Sequence, residues 1–232
     1  MAASVLAWRT YMLLARHEST PTEEQCVGLS FLYRAGASRA APLVILVHGR
    51  AGDRSVMWMF ERSVPQDCHV LSLQAFLPDP LGGWSWWDMA APGSKKDAIL
   101  HAADRLTQAL TAFVTMHNLE PSRMVGMGFS QGSMLVSAVA LGDLFPFDGI
   151  AVLAGFVLLP TEQPSLRKKP HVFVAHGSLD ERAPVAQARE GVAALERLGI
   201  DVQYVEEEVG HKVGIEGTRA LKGWLLRVLG RL

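Results

Sequence analysis

The stretch RMVGMGFSQGSMLVSAVAL, Arg123–Leu141, decides how the rest of the chain is read. Its first part, Arg123–Phe129, is a short apolar run of the kind that forms a strand buried on both faces. Its last part, Gln131–Leu141, reads as the helix that follows. Between them Gly128, Ser130 and Gly132 spell G-x-S-x-G, the pattern of a sharp strand–turn–helix bend that exposes a serine hydroxyl. The motif alone is weak, because chance produces it on the order of 0.1 times in a chain like this one. Its position between a buried strand and a helix is what raises it. Glycines on either side lack a Cβ, so the turn can close tightly around Ser130.

Outward from that bend, similar apolar runs recur. Pro42–Gly49, Cys68–Phe76, Gly149–Val157, Pro170–Gly177 and Asp201–Glu207 read as strands, and Gly28–Gly36 reads as a further one that ends in a turn. Helical patterns separate them. Ile99, Ala102, Leu106, Leu110 and Phe113 keep a three-to-four spacing, with Ser94 and Asp97 placed as a capping box. Val185–Gly199 is amphipathic and stops at Gly199. Leu221, Trp224, Leu225, Val228 and Leu232 share the face of a last helix. Buried strands alternating with helices predict an α/β fold, a mainly parallel sheet covered on both faces. The 232 residues fit a single domain, 1–232, in which segment 1–40 is the hardest to read.

Composition excludes several classes. A formal net charge of −1, with 22 basic and 23 acidic residues, gives no electrostatic case for nucleic acid. Two cysteines, Cys26 and Cys68, make no disulfide framework or metal motif, which points to a reducing, cytoplasmic setting. The apolar start, Met1–Arg16, is interrupted by Arg9 and lacks the organisation of a signal peptide. No stretch has the length and apolarity of a stable membrane span.

In open α/β sheets, ligands sit beyond the carboxyl ends of the strands. There Ser130 needs a base, and the base needs an orienting group. Asp180, in HGSLDERAP, follows the strand Pro170–Gly177. His211, in EVGHKV, follows the last strand and is the only histidine downstream of Asp180. The chain order Ser130, Asp180, His211 is that of α/β-hydrolase triads. VHGRAGD, Val47–Asp53, occupies the position of a loop that supplies an oxyanion N–H. Its donor is Arg50, paired with the amide of Gln131. His48 and His176 lack metal-ligand spacing and are expected to bond loop backbone; no metal is expected. LPDPLGGWSWWDMAAPG, Leu77–Gly93, offers Trp84, Trp86 and Trp87 either as core or as the walls of an apolar substrate pocket.

GFSQGS, HGSLDERAP and GH together resemble the phospholipase/carboxylesterase family of α/β-hydrolases, over roughly Ala41 to the C-terminus. The resemblance implies an α/β-hydrolase fold with little or no lid and a Ser–His–Asp triad without a cofactor. It also implies a small-molecule ester substrate, carboxylic or thioester, of short to medium acyl chain. A second copy of the chain is an open partner. Two segments depart from the family pattern. Arg50-Ala51 stands where His-Gly-Leu-Gly-Asp has one leucine, and Trp84-Ser85-Trp86-Trp87-Asp88 replaces Arg-Ala-Trp-Phe-Asp. A dienelactone-hydrolase-like enzyme normally has cysteine at the bend, and peptidase-like relatives carry an extra domain. A non-catalytic binding protein on this fold is the remaining alternative.

Overall fold

The computed structural model describes residues 21–26, 28–159 and 166–231. The start of the chain, Met1–Arg16, and Leu232 lie outside them.

Among the described residues ten strands run in chain order: β1 Thr22–Cys26, β2 Leu29–Arg34, β3 Leu43–Val47, β4 His69–Leu73, β5 Leu77–Pro78, β6 Trp84–Ser85, β7 Met124–Phe129, β8 Gly149–Leu153, β9 His171–Gly177 and β10 Val202–Glu207. Four α-helices accompany them there: α1 Lys95–Met116, α2 Gln131–Leu141, α3 Val185–Arg197 and α4 Ile215–Val228. Eight strands form one sheet in the order β1-β2-β4-β3-β7-β8-β9-β10. From β4 to β10 every pairing is parallel; β1 and β2 add an antiparallel edge. This is the mainly parallel sheet that the apolar runs predict, in the α/β-hydrolase arrangement that the family resemblance implies.

Alternation along the strands divides the core, because successive side chains point to opposite faces. Leu43, Ile45 and Val47 face a cluster containing Ile99, Leu106 and Phe113 of α1, residues of α2, and Val192 and Leu195 of α3. Val44 and Leu46 face the other cluster, with Leu221, Trp224 and Leu225 of α4. Met57 and Phe60, from a 3-10 helix at Val56–Ser63, join that second layer. Every residue of α2 is buried. That explains its lack of a polar stripe, since a helix enclosed on all sides has none.

The helix boundaries follow local chemistry. Ser94 caps α1, its hydroxyl accepting the Asp97 N–H at 3.3 Å. Gly199 adopts φ 67° just beyond α3, the left-handed stop that favours glycine. Strand β1 was not foreseen. Its sequence, TEEQC, has no apolar alternation because it pairs only with β2 at the sheet edge.

Candidate active site

At the end of β7 the chain turns into α2 through Ser130, whose φ is 51° and ψ −112°. A non-glycine residue in such a conformation stores on the order of 1–3 kcal/mol of strain and persists only where its surroundings impose it. Here they do. A Cβ on Gly128 would lie 2.2 Å from the Gly132 carbonyl oxygen, and one on Gly132 would lie 2.2 Å from that of Val47. The bend therefore packs backbone against backbone. The Ser130 N–H donates to the Leu153 carbonyl at 2.9 Å, and the Ser133 hydroxyl donates to the Ser130 carbonyl at 2.6 Å.

The three residues chosen from chain order meet at the strand ends. His211 Nε2 lies 3.0 Å from Ser130 Oγ, and His211 Nδ1 lies 2.7 Å from Asp180 Oδ2. Asp180 is buried, and its other oxygen accepts the N–H groups of Arg182 and Ala183, both at 2.9 Å. Burial pushes its pKa up. The N–H of Ala183, the His211 ring and the N–H of Arg182 together outweigh that, so the carboxyl sits below its usual range. It is an anion against the imidazole. His176 is a second histidine beside it: Nε2 donates to the Ala183 carbonyl at 2.7 Å and lies 3.6 Å from Asp180 Oδ2.

The loop bearing His211 is closed at both ends. Glu207, the last residue of β10, accepts the N–H groups of Glu216 at 2.9 Å and Gly217 at 2.7 Å in the first turn of α4. Its backbone carbonyl receives the Ser178 N–H at 2.8 Å, and the Val209 carbonyl receives the Leu179 N–H at 3.1 Å. The histidine loop and the aspartate loop are thus laced to each other.

Opposite lies the loop after β3. His48 is fully buried; Nδ1 donates to the Gly49 carbonyl at 2.6 Å and Nε2 accepts the Ala75 N–H at 2.9 Å. Burial lowers its pKa, which keeps the ring neutral and able to accept at Nε2. Ala51 takes φ 58°, and this left-handed residue accommodates the extra position of Arg50-Ala51. Arg50 Nε donates to Asp79 Oδ2 at 2.8 Å. The Arg50 guanidinium, the Ser85 hydroxyl and the Leu81 N–H hold the Asp79 carboxyl down to about 2.

Arg50, Ser130, Gln131 and His211 all border a cleft of about 650 Å³, with Met134 and Phe156 among its apolar walls. The amides of Arg50 and Gln131 have no hydrogen-bond acceptor among the described residues. The tryptophans are elsewhere, and the pocket reading is corrected. Trp86 and Trp87 are buried in the core, and Trp84 packs against it; none borders the cleft. A buried indole seeks an acceptor, and the N–H of Trp86 finds the His48 carbonyl at 2.7 Å. Its backbone N–H donates to Gln131 Oε1 at 2.9 Å, and Gln131 Nε2 donates to the Trp87 carbonyl at 3.3 Å. The side chain of Gln131 therefore clamps the tryptophan segment to the bend. The sequence points only to its backbone amide, and its place directly after Ser130 is the available signal for the side chain.

Residues 33–226 match the family described as phospholipase/carboxylesterase. The chain belongs to that family. It is an ester hydrolase of the carboxylesterase class on an α/β-hydrolase fold. Among solved structures it is similar to a Mesorhizobium loti carboxylesterase, 18% identical with a TM-score of 0.77, covering 89% of this chain and 99% of that one. A Bacillus cereus carboxylesterase is also 18% identical, with a TM-score of 0.75 and coverage of 87% and 95%. Esterase PE8 is 24% identical, with a TM-score of 0.75 and coverage of 87% and 100%. At such identities the likeness is one of fold. Among the described residues no helix is long and apolar enough to cross a membrane, and no group of His, Cys, Asp or Glu is arranged to hold a metal.

Proposed function

We propose that the chain hydrolyses carboxylic esters of short to medium acyl chains, and thioesters of the same size, through an acyl-enzyme on Ser130. The observation that carries this reading is the continuous pair of contacts Ser130–His211–Asp180, at 3.0 and 2.7 Å. In the first step His211 Nε2 takes the proton of Ser130 Oγ as the oxygen attacks the carbonyl carbon. Asp180, already anionic, keeps Nδ1 protonated and stabilises the imidazolium that forms. The unspent amides of Arg50 and Gln131 receive the oxyanion. Collapse expels the alcohol or thiol, protonated by His211. Water, giving its proton to the same Nε2, then attacks the acyl carbon and restores Ser130. The cleft volume and its Met134 and Phe156 walls suit a modest hydrocarbon chain.

The test is intact-mass analysis after treatment with a fluorophosphonate, with Ser130→Ala beside the wild type. A single adduct on the wild type and none on the variant is expected, followed by turnover of esters and thioesters of graded length. A folded wild type that takes no adduct would favour the binding-protein alternative.

A further inference from the structure

The charges at the cleft mouth are unevenly spent. Arg50, Lys95 and Arg182 border the cleft, and among the described residues no Asp or Glu does, in a chain whose formal charge is −1. The carboxylates of the flanking segments face other donors rather than Lys95 or Arg182. Asp53 accepts the N–H groups of Ser55 and Val56, Asp88 accepts that of Ala90, and Asp180 is held by His211. Asp79 neutralises Arg50. Lys95 and Arg182 are exposed and have no ion-pair partner among the described residues. Their sequence neighbours of opposite charge, Asp97 and Glu181, lie outside the lining.

The same mouth is apolar around these cations. Val56 and Leu81 border it and are 51% and 74% exposed, and Met89 beside them is 46% exposed. A site that offers hydrocarbon contacts and two unmatched positive charges complements an amphipathic anion. A neutral ester would leave both charges unanswered.

We infer that the substrate is an ester carrying a carboxylate at one end of a short apolar chain, with the carboxylate held by Lys95 and Arg182. The inference rests on the ester-hydrolase reading of this cleft and names its substrate class. The attraction acts before and during acylation: an apolar-walled cleft of one sign gathers counter-charged ligands, and salt screens the effect.

The experiment compares three esters. 4-Nitrophenyl valerate is neutral; mono-4-nitrophenyl glutarate places a carboxylate at the acyl end; 5-valeryloxy-2-nitrobenzoate places one on the leaving group. The quantity read is the ratio of kcat/KM for each anionic ester to that for the valerate, which cancels general damage to the site. Arg182→Gln and Lys95→Gln are each expected to lower that ratio about three- to tenfold for one of the two anionic esters, the size of a single partly screened charge pair. Raising salt should lower the wild-type ratio in the same direction. Arg197→Gln, an exposed cation at the end of α3, should leave it unchanged. Turnover of valerate with ratios unmoved by both substitutions, or with neither anionic ester accepted, overturns the inference alone. Turnover of none of the three, together with no fluorophosphonate adduct, overturns the ester-hydrolase reading and this inference with it.

Discussion

On the His211 side of the cleft, the parts are joined by charge: an anionic Asp180, the His211 imidazole against it, and backbone N–H groups turned toward the carboxylate. On the Arg50 side, apart from the Arg50–Asp79 ion pair, they are joined by neutral bonds and packed rings. His48 is uncharged, Trp86 hangs from its carbonyl with ring centroids 5.2 Å apart, and the Gln131 amide ties the tryptophans to the bend. The difference fits the work that the proposed mechanism gives each wall. One would change its protonation during the reaction, and its carboxylate, Asp180, is held ionised by its partners. The other would present fixed dipoles to an oxyanion, which is worth most when nothing there moves.

Asp180→Asn attacks the charged wall most directly. It keeps the volume but removes the anion that selects the Nδ1–H tautomer, so kcat should fall by about 10⁴-fold with the fold intact. Steady-state kinetics alongside circular dichroism would check this; a loss below tenfold would mean that Asp180 is not the orienting group. Trp86→Phe strikes the neutral wall, removing one hydrogen bond to the His48 carbonyl while keeping an aromatic ring. A loss of about 1–2 kcal/mol of stability is expected from the unpaired carbonyl and smaller ring. Activity should fall roughly tenfold in kcat, with KM little changed. If KM rose instead, Trp86 would have to touch substrate after all.

Acid should loosen the neutral wall at His48 and, at the opposite end of the sheet, the setting of His69. Burial depresses the pKa of His48, and of His69 under Tyr33, so the folded protein resists protons that the unfolded chain accepts. Stability is thus fully present above the unfolded value of about 6.5 and is lost as pH falls below it toward the folded values. Urea unfolding at descending pH should show midpoints that drop through this window. A flat profile between neutrality and pH 5 would mean that neither ring is held neutral. The smallest effect belongs to Ala51→Gly. Relieving φ 58° should stabilise the protein by up to about 1 kcal/mol, read as a raised Tm.

These two walls were not equally legible in the sequence. Ser130, Asp180 and His211 stand out because the chemistry demands particular residue types and the strand ends demand particular places. The strands stand out because burial on both faces leaves continuous apolar runs. Trp84, Trp86 and Trp87 could be read either way, since composition does not say which side of a loop faces the core. That choice was made by bonds to His48 and Gln131, residues far away along the chain. The β1 edge strand and the 3-10 helix at Val56–Ser63 were silent for a related reason: each is stabilised by what it packs against, and its own pattern is weak.

The bonds from Glu207 to the first turn of α4 have a consequence for the order in which the molecule comes into being. On the ribosome, Ser130, Asp180 and His211 have all been synthesised before α4 exists. Until Ile215–Val228 emerges and docks, Glu207 has no amides to hold and the histidine loop is tethered at one end only. The nascent chain therefore carries all three side chains of the triad before the bonds that hold the histidine loop at its α4 end can form.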